Sequence, residues 1–447
     1  MVLSGILKNS RSISRAALGV ALAMGVVAGT TFTASPAVAA KKKKKPKAPK
    51  LNFSKGFVAV AGPAQNAIAE LDVSNAEAAT QAKSMLEQAF GAVEVDDDRF
   101  LVGTLAVNLG GKLEDTQMQR RGFMAMLASG KSEPASVPRY NSIVGQLAYQ
   151  AGDYAEAHQY LQRGTDAGFT DENSHIILAE SYIGDNQPAK GLAILHSAIV
   201  SARASGTKSP KSWYLRGIGS AFNAKMPNEA ADFGALLISD FSDPENVSIA
   251  VTVLRELGTF GSQETLDLMR LIGRTNSYAE ENDYVEYIQA ADPRRLPGEV
   301  IKVIDNGLAS GMLKTSDPFV TDAKRQASGR LASDKASLPS FERDARKAGA
   351  SEATVTGSAD ALLSYGQAGK AEAIYQIALG TPGVDAARVL TRLGISQIDQ
   401  GKYPEALQTL AKVTGKRQGI AKLWSAYASS KATAATAAVV TSSEPAN

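Results

Sequence analysis

The chain has 447 residues, of which 44% are apolar and 21% charged, with a formal net charge of +3 and no cysteine. That length is ample for packed cores without covalent staples. The missing cysteines exclude disulfides, thiol nucleophiles and thiolate metal sites.

Residues 1–40 have the form of a secretory signal. Lys8, Arg11 and Arg15 precede an apolar run at 16–28, and Ser35-Pro36-Ala37-Val38-Ala39-Ala40 supplies a small-residue exit. The run is short against the roughly 20 residues needed to span a bilayer. Cleavage is therefore expected after Ala39 or Ala40, giving a periplasmic or secreted protein; an uncleaved anchor is the alternative. Seven lysines follow between Lys41 and Lys50, whereas the body from Leu51 onward carries 38 basic and 45 acidic residues. The arm at 41–50 is expected to be disordered. It suits electrostatic contact with an anionic envelope surface, or serves as a solvated spacer. An acidic body on an export route argues against nucleic acid as a partner.

Helical hairpins are expected at 51–135, including pairs at 98–110 and 115–130; the run Phe57-Val58-Ala59-Val60 reads as helix rather than strand. From 136 to 415 a ruler of 34 residues applies. Val144-Gly145, Ala148, Gly152-Asp153-Tyr154, Ala157 and Leu161 form one unit. Ala179, Tyr182, Asn186, Gly191, Leu195 and Ala198 occupy the matching places of the next. Leu393-Gly394, Gln397, Gly401-Lys402-Tyr403, Ala406 and Leu410 form another, and Trp424 and Ala428 lie one period beyond Leu390 and Gly394. Between Pro244 and Ala350 the pattern is fainter. First helices are expected near Pro244, Ser277, Ser316, Ala353 and Val384, and second helices near Ser262, Leu296, Leu338, Lys370 and Tyr403. Glycine and proline stand between them as boundary signals.

This period, with small residues where paired helices approach, resembles the tetratricopeptide repeat family, in the manner of an exported bacterial member. The resemblance implies an all-α fold: a right-handed helical-repeat solenoid of about ten hairpins plus a capping helix. That cap, at 416–431, is expected to seal the open end, with Trp424 and Tyr427 facing the final repeat and loss of Trp424 fraying only 384–414. Residues 432–447 read as a disordered tail.

No chemistry-bearing constellation emerges. His158, His175 and His196 form no metal-spaced pair and read as ordinary helix residues. Gly366-Gln367-Ala368-Gly369-Lys370 lacks the spacing and hydroxyl of a phosphate loop, and Gly217-Ile218-Gly219-Ser220 lies in a helix rather than on a nucleophile elbow. Asp96-Asp97-Asp98 suits a helix start, and Arg294-Arg295 a solvated turn. The expectation is a non-enzyme without metal or cofactor: an interaction scaffold or adaptor for envelope proteins. A wall- or polysaccharide-binding module is the alternative, and a wall-active hydrolase the less favoured one. In tetratricopeptide proteins the first helices line a concave groove. Carried onto the clear units, the groove positions are Arg139, Ser142, Gln146 and Tyr149; Asn173, Ile176, Glu180 and Ile183; and Arg388, Thr391, Ile395 and Ile398. They suit an extended peptide or a partner helix.

Overall fold

The computed structural model describes residues 51–442, except Thr170 and Glu172. The expected leader, the lysine arm and the last five residues lie outside the described residues. Twenty α-helices follow one another: α1 (Lys55–Ala69), α2 (Ala76–Gly91), α3 (Asp96–Lys112), α4 (Thr116–Ala128), α5 (Val137–Ala151), α6 (Tyr154–Asp166), α7 (Ser174–Gly184), α8 (Pro188–Ala204), α9 (Lys211–Asn223) and α10 (Pro227–Asp240). They continue as α11 (Pro244–Leu257), α12 (Ser262–Thr275), α13 (Glu281–Ala291), α14 (Pro297–Ala309), α15 (Pro318–Ala345), α16 (Glu352–Ser364), α17 (Ala368–Leu379), α18 (Ala386–Ile398), α19 (Tyr403–Leu410) and α20 (Gln418–Ser442). No strand occurs among the described residues, and the helices pack in adjacent pairs along the chain, an all-α helical-repeat fold.

Local chemistry sets the boundaries. The side chains of Asn75, Asp115, Ser351 and Asp385 accept backbone N–H groups of the first turns that follow them, satisfying donors that a helix start otherwise leaves open. Pro227, Pro244, Pro297 and Pro318 stand at first helical positions, where a missing N–H costs nothing. Gly152 ends α5 in the left-handed conformation, at φ 85°.

The expected close approaches are present. A Cβ added at Gly145 would stand 2.5 Å from the Leu161 Cγ and 2.8 Å from its backbone nitrogen. Gly103 and Gly122 face each other in the same way across α3 and α4, each against the other's carbonyl oxygen. Gly145→Ala is expected to destabilise by about 1–3 kcal/mol, because backbone on the far side cannot yield as a side-chain tip can. Gly357, exposed inside α16 with nothing within 4 Å, is the control. Its replacement by alanine is expected to stabilise by about 0.5–1 kcal/mol, and urea unfolding of the two variants reads the opposite signs.

The described chain forms two compact units, 51–194 and 195–442, divided inside α8. In 51–194 the core is made of successive local clusters. One joins α1, α2 and α3 around Phe57, Leu86 and Leu109; the next joins α3, α4 and α5 around Val107, Phe123 and Val144. In 195–442 one continuous core runs from Ala231 to Ala428. Consecutive helices join along it, and α20 packs on α19 and α18 as expected of a cap but also returns to α10, α11 and α12. Gly419 lies against Ala231 and Leu254, Lys422 pairs with Asp232, and the Trp424 Nε1 donates to the Asp267 carbonyl at 2.9 Å. Trp424 is fully buried, as its position one period past Leu390 suggested. Its polar partner, however, is the backbone of α12 rather than the final repeat.

Two other segments depart from expectation. The pair expected near Ser316 and Leu338 is a single 28-residue helix, α15, which runs through Pro339. The carbonyl that this proline leaves unpaired is that of Lys335, an exposed residue, so water can satisfy it. The last helix does not stop at 431 but extends to Ser442. Its end is alanine-rich, alanine is the strongest helix former, and neither glycine nor proline intervenes before Pro445.

Candidate functional site

In 51–194, α5 and α7 are the first helices of consecutive pairs, and the residues expected to line a groove join them. The Gln146 side-chain amide donates to Asp171 Oδ2 at 3.1 Å, and the Tyr149 hydroxyl donates to Glu180. Arg139 and Asn173 are exposed; Gln146, Tyr149, Glu180 and Ile183 are half-buried. Ser142 and Ile176 point inward and belong to the interior. The result is a polar ladder with apolar rungs on α5 and α7, with α5 seated on α6 through Gly145 and Leu161. The surrounding unit is strongly acidic: residues 51–194 hold 10 basic and 18 acidic residues, a net of −8. Residues 195–447 hold 28 and 27, a net of +1.

The corresponding positions of α18 do not form a groove. Thr391 and Ile395 are 0% exposed and Ile398 is 6% exposed, while Arg388 is half-buried and pairs with Asp360 at 3.4 Å. The carry-over from the repeat pattern fails there for a tertiary reason. Besides its partner α19, α18 meets α12 and α20, which cover the face that an open repeat would present.

What fills that covered face is a cluster of buried charges. Asp267 on α12 receives Arg392 Nε at 2.9 Å, Arg270 Nη1 at 3.3 Å and Arg417 Nη1. Arg392 reaches on to Asp360 at 2.6 Å, which also accepts the Tyr375 hydroxyl at 2.7 Å. Arg270 extends the other way to Glu299, whose two oxygens it grips at 2.8 Å each; the Tyr287 hydroxyl donates to the same carboxylate at 2.8 Å. Three arginines thus face three carboxylates, all nine-tenths or more buried. Such a cluster persists away from water only because each ion is paired and hydrogen-bonded. The signal in the sequence was an acid and a base three apart in Leu266-Asp267-Leu268-Met269-Arg270-Leu271-Ile272, both inside an otherwise apolar run.

The cluster makes this unit acid-sensitive. Burial pushes the Glu299 carboxyl up, but the charge and hydrogen bonds of Arg270, with Arg274 and Tyr287, outweigh it and hold the group at about 2 against an ordinary 4.5. Asp360 is lowered likewise, where Arg392, Arg270 and Arg388 overcome its burial. Carboxyls with depressed folded values bind protons more readily when unfolded. Their contribution is therefore complete above the unfolded value and is lost as pH falls towards the folded one. Stability of 195–442 is expected to fall between pH 4.5 and 2. Chemical denaturation across that window should show a shallower slope for Glu299→Gln.

His158 bonds Asp185 at 2.8 Å and stacks on Tyr182, whereas His196 meets the edge of Phe233. Among the described residues no group of three or more His, Cys, Asp or Glu is placed to hold a metal ion, and no helix is long and apolar enough to cross a membrane. Asp97 and Asp98, expected only to favour a helix start, also accept the backbone N–H groups of Asn52 and Ser54 and so fasten the beginning of the described chain to α3.

Fold and site together define a class: an all-α protein of paired helices, with an acidic ladder-bearing unit and a second unit locked by buried ions. No protein-family model and no curated protein matches this chain.

Proposed function

We propose that this is an exported interaction scaffold of the tetratricopeptide type, acting in the bacterial envelope, and that it holds a positively charged segment of a partner protein along α5 and α7. The ladder carries the reading: Arg139, Asn173, Gln146, Tyr149, Glu180 and Ile183 stay at the surface of consecutive first helices, whereas the same positions of α18 are closed off. The net charge of −8 on 51–194 favours a basic partner, because complementary fields speed encounter and disfavour wrong partners. The 34-residue ruler supports the family, and the signal pattern at 1–40 supports export.

Capture from an envelope extract on the mature protein tests this. Partner proteins are expected to be retained at low salt and to elute as ionic strength rises. Asn173→Lys combined with Ile183→Lys, both on the ladder, should weaken retention at least about tenfold, since like charge at an interface costs several kcal/mol. Failure to retain any protein, or retention indifferent to the double variant, would remove the proposal.

A further inference from the structure

Within 195–442 a cleft of about 310 Å³ opens beside the buried ion cluster, between α12, α14 and the turn after α16. This is the lower end of the size range that holds small molecules. Its hydrogen-bonding capacity is one-sided. The acceptors are occupied: Glu299 by Arg270 and Tyr287, as above, and Asp399 by Arg274, which grips both its oxygens at 2.7 Å. The Asn306 side-chain oxygen takes the Tyr284 hydroxyl at 2.8 Å.

The donors are not occupied. The Lys302 ammonium has three N–H groups, and its one partner among the described residues is the Ser364 carbonyl, at 3.3 Å. Lys302 and Asn306 lie one turn apart on the exposed side of α14, and the Asn306 side-chain N–H groups make no bond among the described residues. The Tyr278 hydroxyl makes none either, while its ring is stacked on Tyr284 with centroids 3.8 Å apart. Burial and neighbouring Tyr284 and Glu299 raise the affinity of that hydroxyl for its proton, so it remains a donor. Among the charges that line the cleft, Arg274 is spent on Asp399, and Glu299 is neutralised from behind by Arg270, which leaves the Lys302 ammonium as the cation with no carboxylate partner among the described residues.

We propose that this cleft binds a small organic oxyanion, a carboxylate or phosphate ester, with Lys302, Asn306 and Tyr278 donating to the anion and the rest of the ligand lying against the Tyr278 and Tyr287 side chains that line it. The charged ring of groups is pre-formed, because Arg274 and Glu299 are each held bidentately and cannot swing to meet a ligand. Gly273 sets the width: a Cβ there would stand 3.2 Å from the Tyr278 hydroxyl oxygen and 3.0 Å from the Tyr287 ring.

Calorimetric titration of the mature protein with inorganic phosphate, glucose 6-phosphate, succinate and glucose tests the proposal. At least one anionic probe is expected to bind saturably and glucose not to bind. Preference between phosphate and succinate identifies the anion, and preference of glucose 6-phosphate over phosphate shows that the ligand body contributes. Lys302→Gln, at an exposed position that leaves the core untouched, should weaken binding at least about tenfold, the loss of a hydrogen bond to a charged group. Gly273→Ala should weaken glucose 6-phosphate more than phosphate. No saturable binding of any anion, equal binding of glucose, or binding unchanged in Lys302→Gln would overturn it.

Discussion

Asp267→Asn is expected to destabilise residues 195–442 by about 3–5 kcal/mol, the cost of removing one member from a buried ion cluster and leaving its partners unpaired. The amide is nearly isosteric, so packing is preserved and the change isolates charge. Three guanidinium groups converge on this one carboxylate from α12, α18 and the turn before α20. Losing it leaves three positive charges close together, with Glu299, Asp360 and the more exposed Glu264, which Arg417 meets at 3.3 Å, to balance them. The Asp267 carbonyl still accepts the Trp424 N–H, so that contact is not the cause of the loss. Urea unfolding followed by hydrogen exchange reads the effect unit by unit. A loss below about 1 kcal/mol for Asp267→Asn would show that water reaches the cluster and that the ions are not mutually dependent.

Trp424→Ala should destabilise by about 3–5 kcal/mol, the usual result of emptying a large buried aromatic site. The distribution of the damage is the more informative outcome. A cap on an open repeat end would fray 384–414 and nothing else, because repeat arrays transmit damage only to neighbours. Here α20 bridges α19 and α18 on one side and α10, α11 and α12 on the other. Amide protection is therefore expected to fall in 227–275 as well as in 386–410, regions more than a hundred residues apart. Residues 51–194, whose cores are successive local clusters, should keep their protection. Fraying confined to 384–414 would mean that the contacts of α20 with α10 to α12 contribute little.

The pairing of helices was legible in the sequence because its determinants are local. Gly145 meets Leu161 and Gly394 meets Leu410 about one helix length further on, so a 34-residue ruler and the size of a side chain are enough to find them. Caps and prolines act within one turn, and they placed the helix starts at Pro244, Ser262 and Pro297. The side-chain bonds of Gln146 and of Tyr149 with Glu180 have the same local origin, since these residues belong to adjacent pairs. Other features depend on contacts that no periodicity encodes. Arg392 reaches Asp267 across 125 residues, Trp424 reaches it across 157, and Lys422 reaches Asp232 across 190. Apart from Asp267, whose apolar neighbours mark it, these charges look in the sequence like any others on a helical surface, since nothing local distinguishes a charge facing water from one facing its counter-ion. Only the meeting of α12, α18 and α20 decided that the groove positions of α18 are core and that three arginines are buried. The helices themselves follow from forces acting within a turn or a pair; the closure follows from surfaces that meet only after the whole unit has folded.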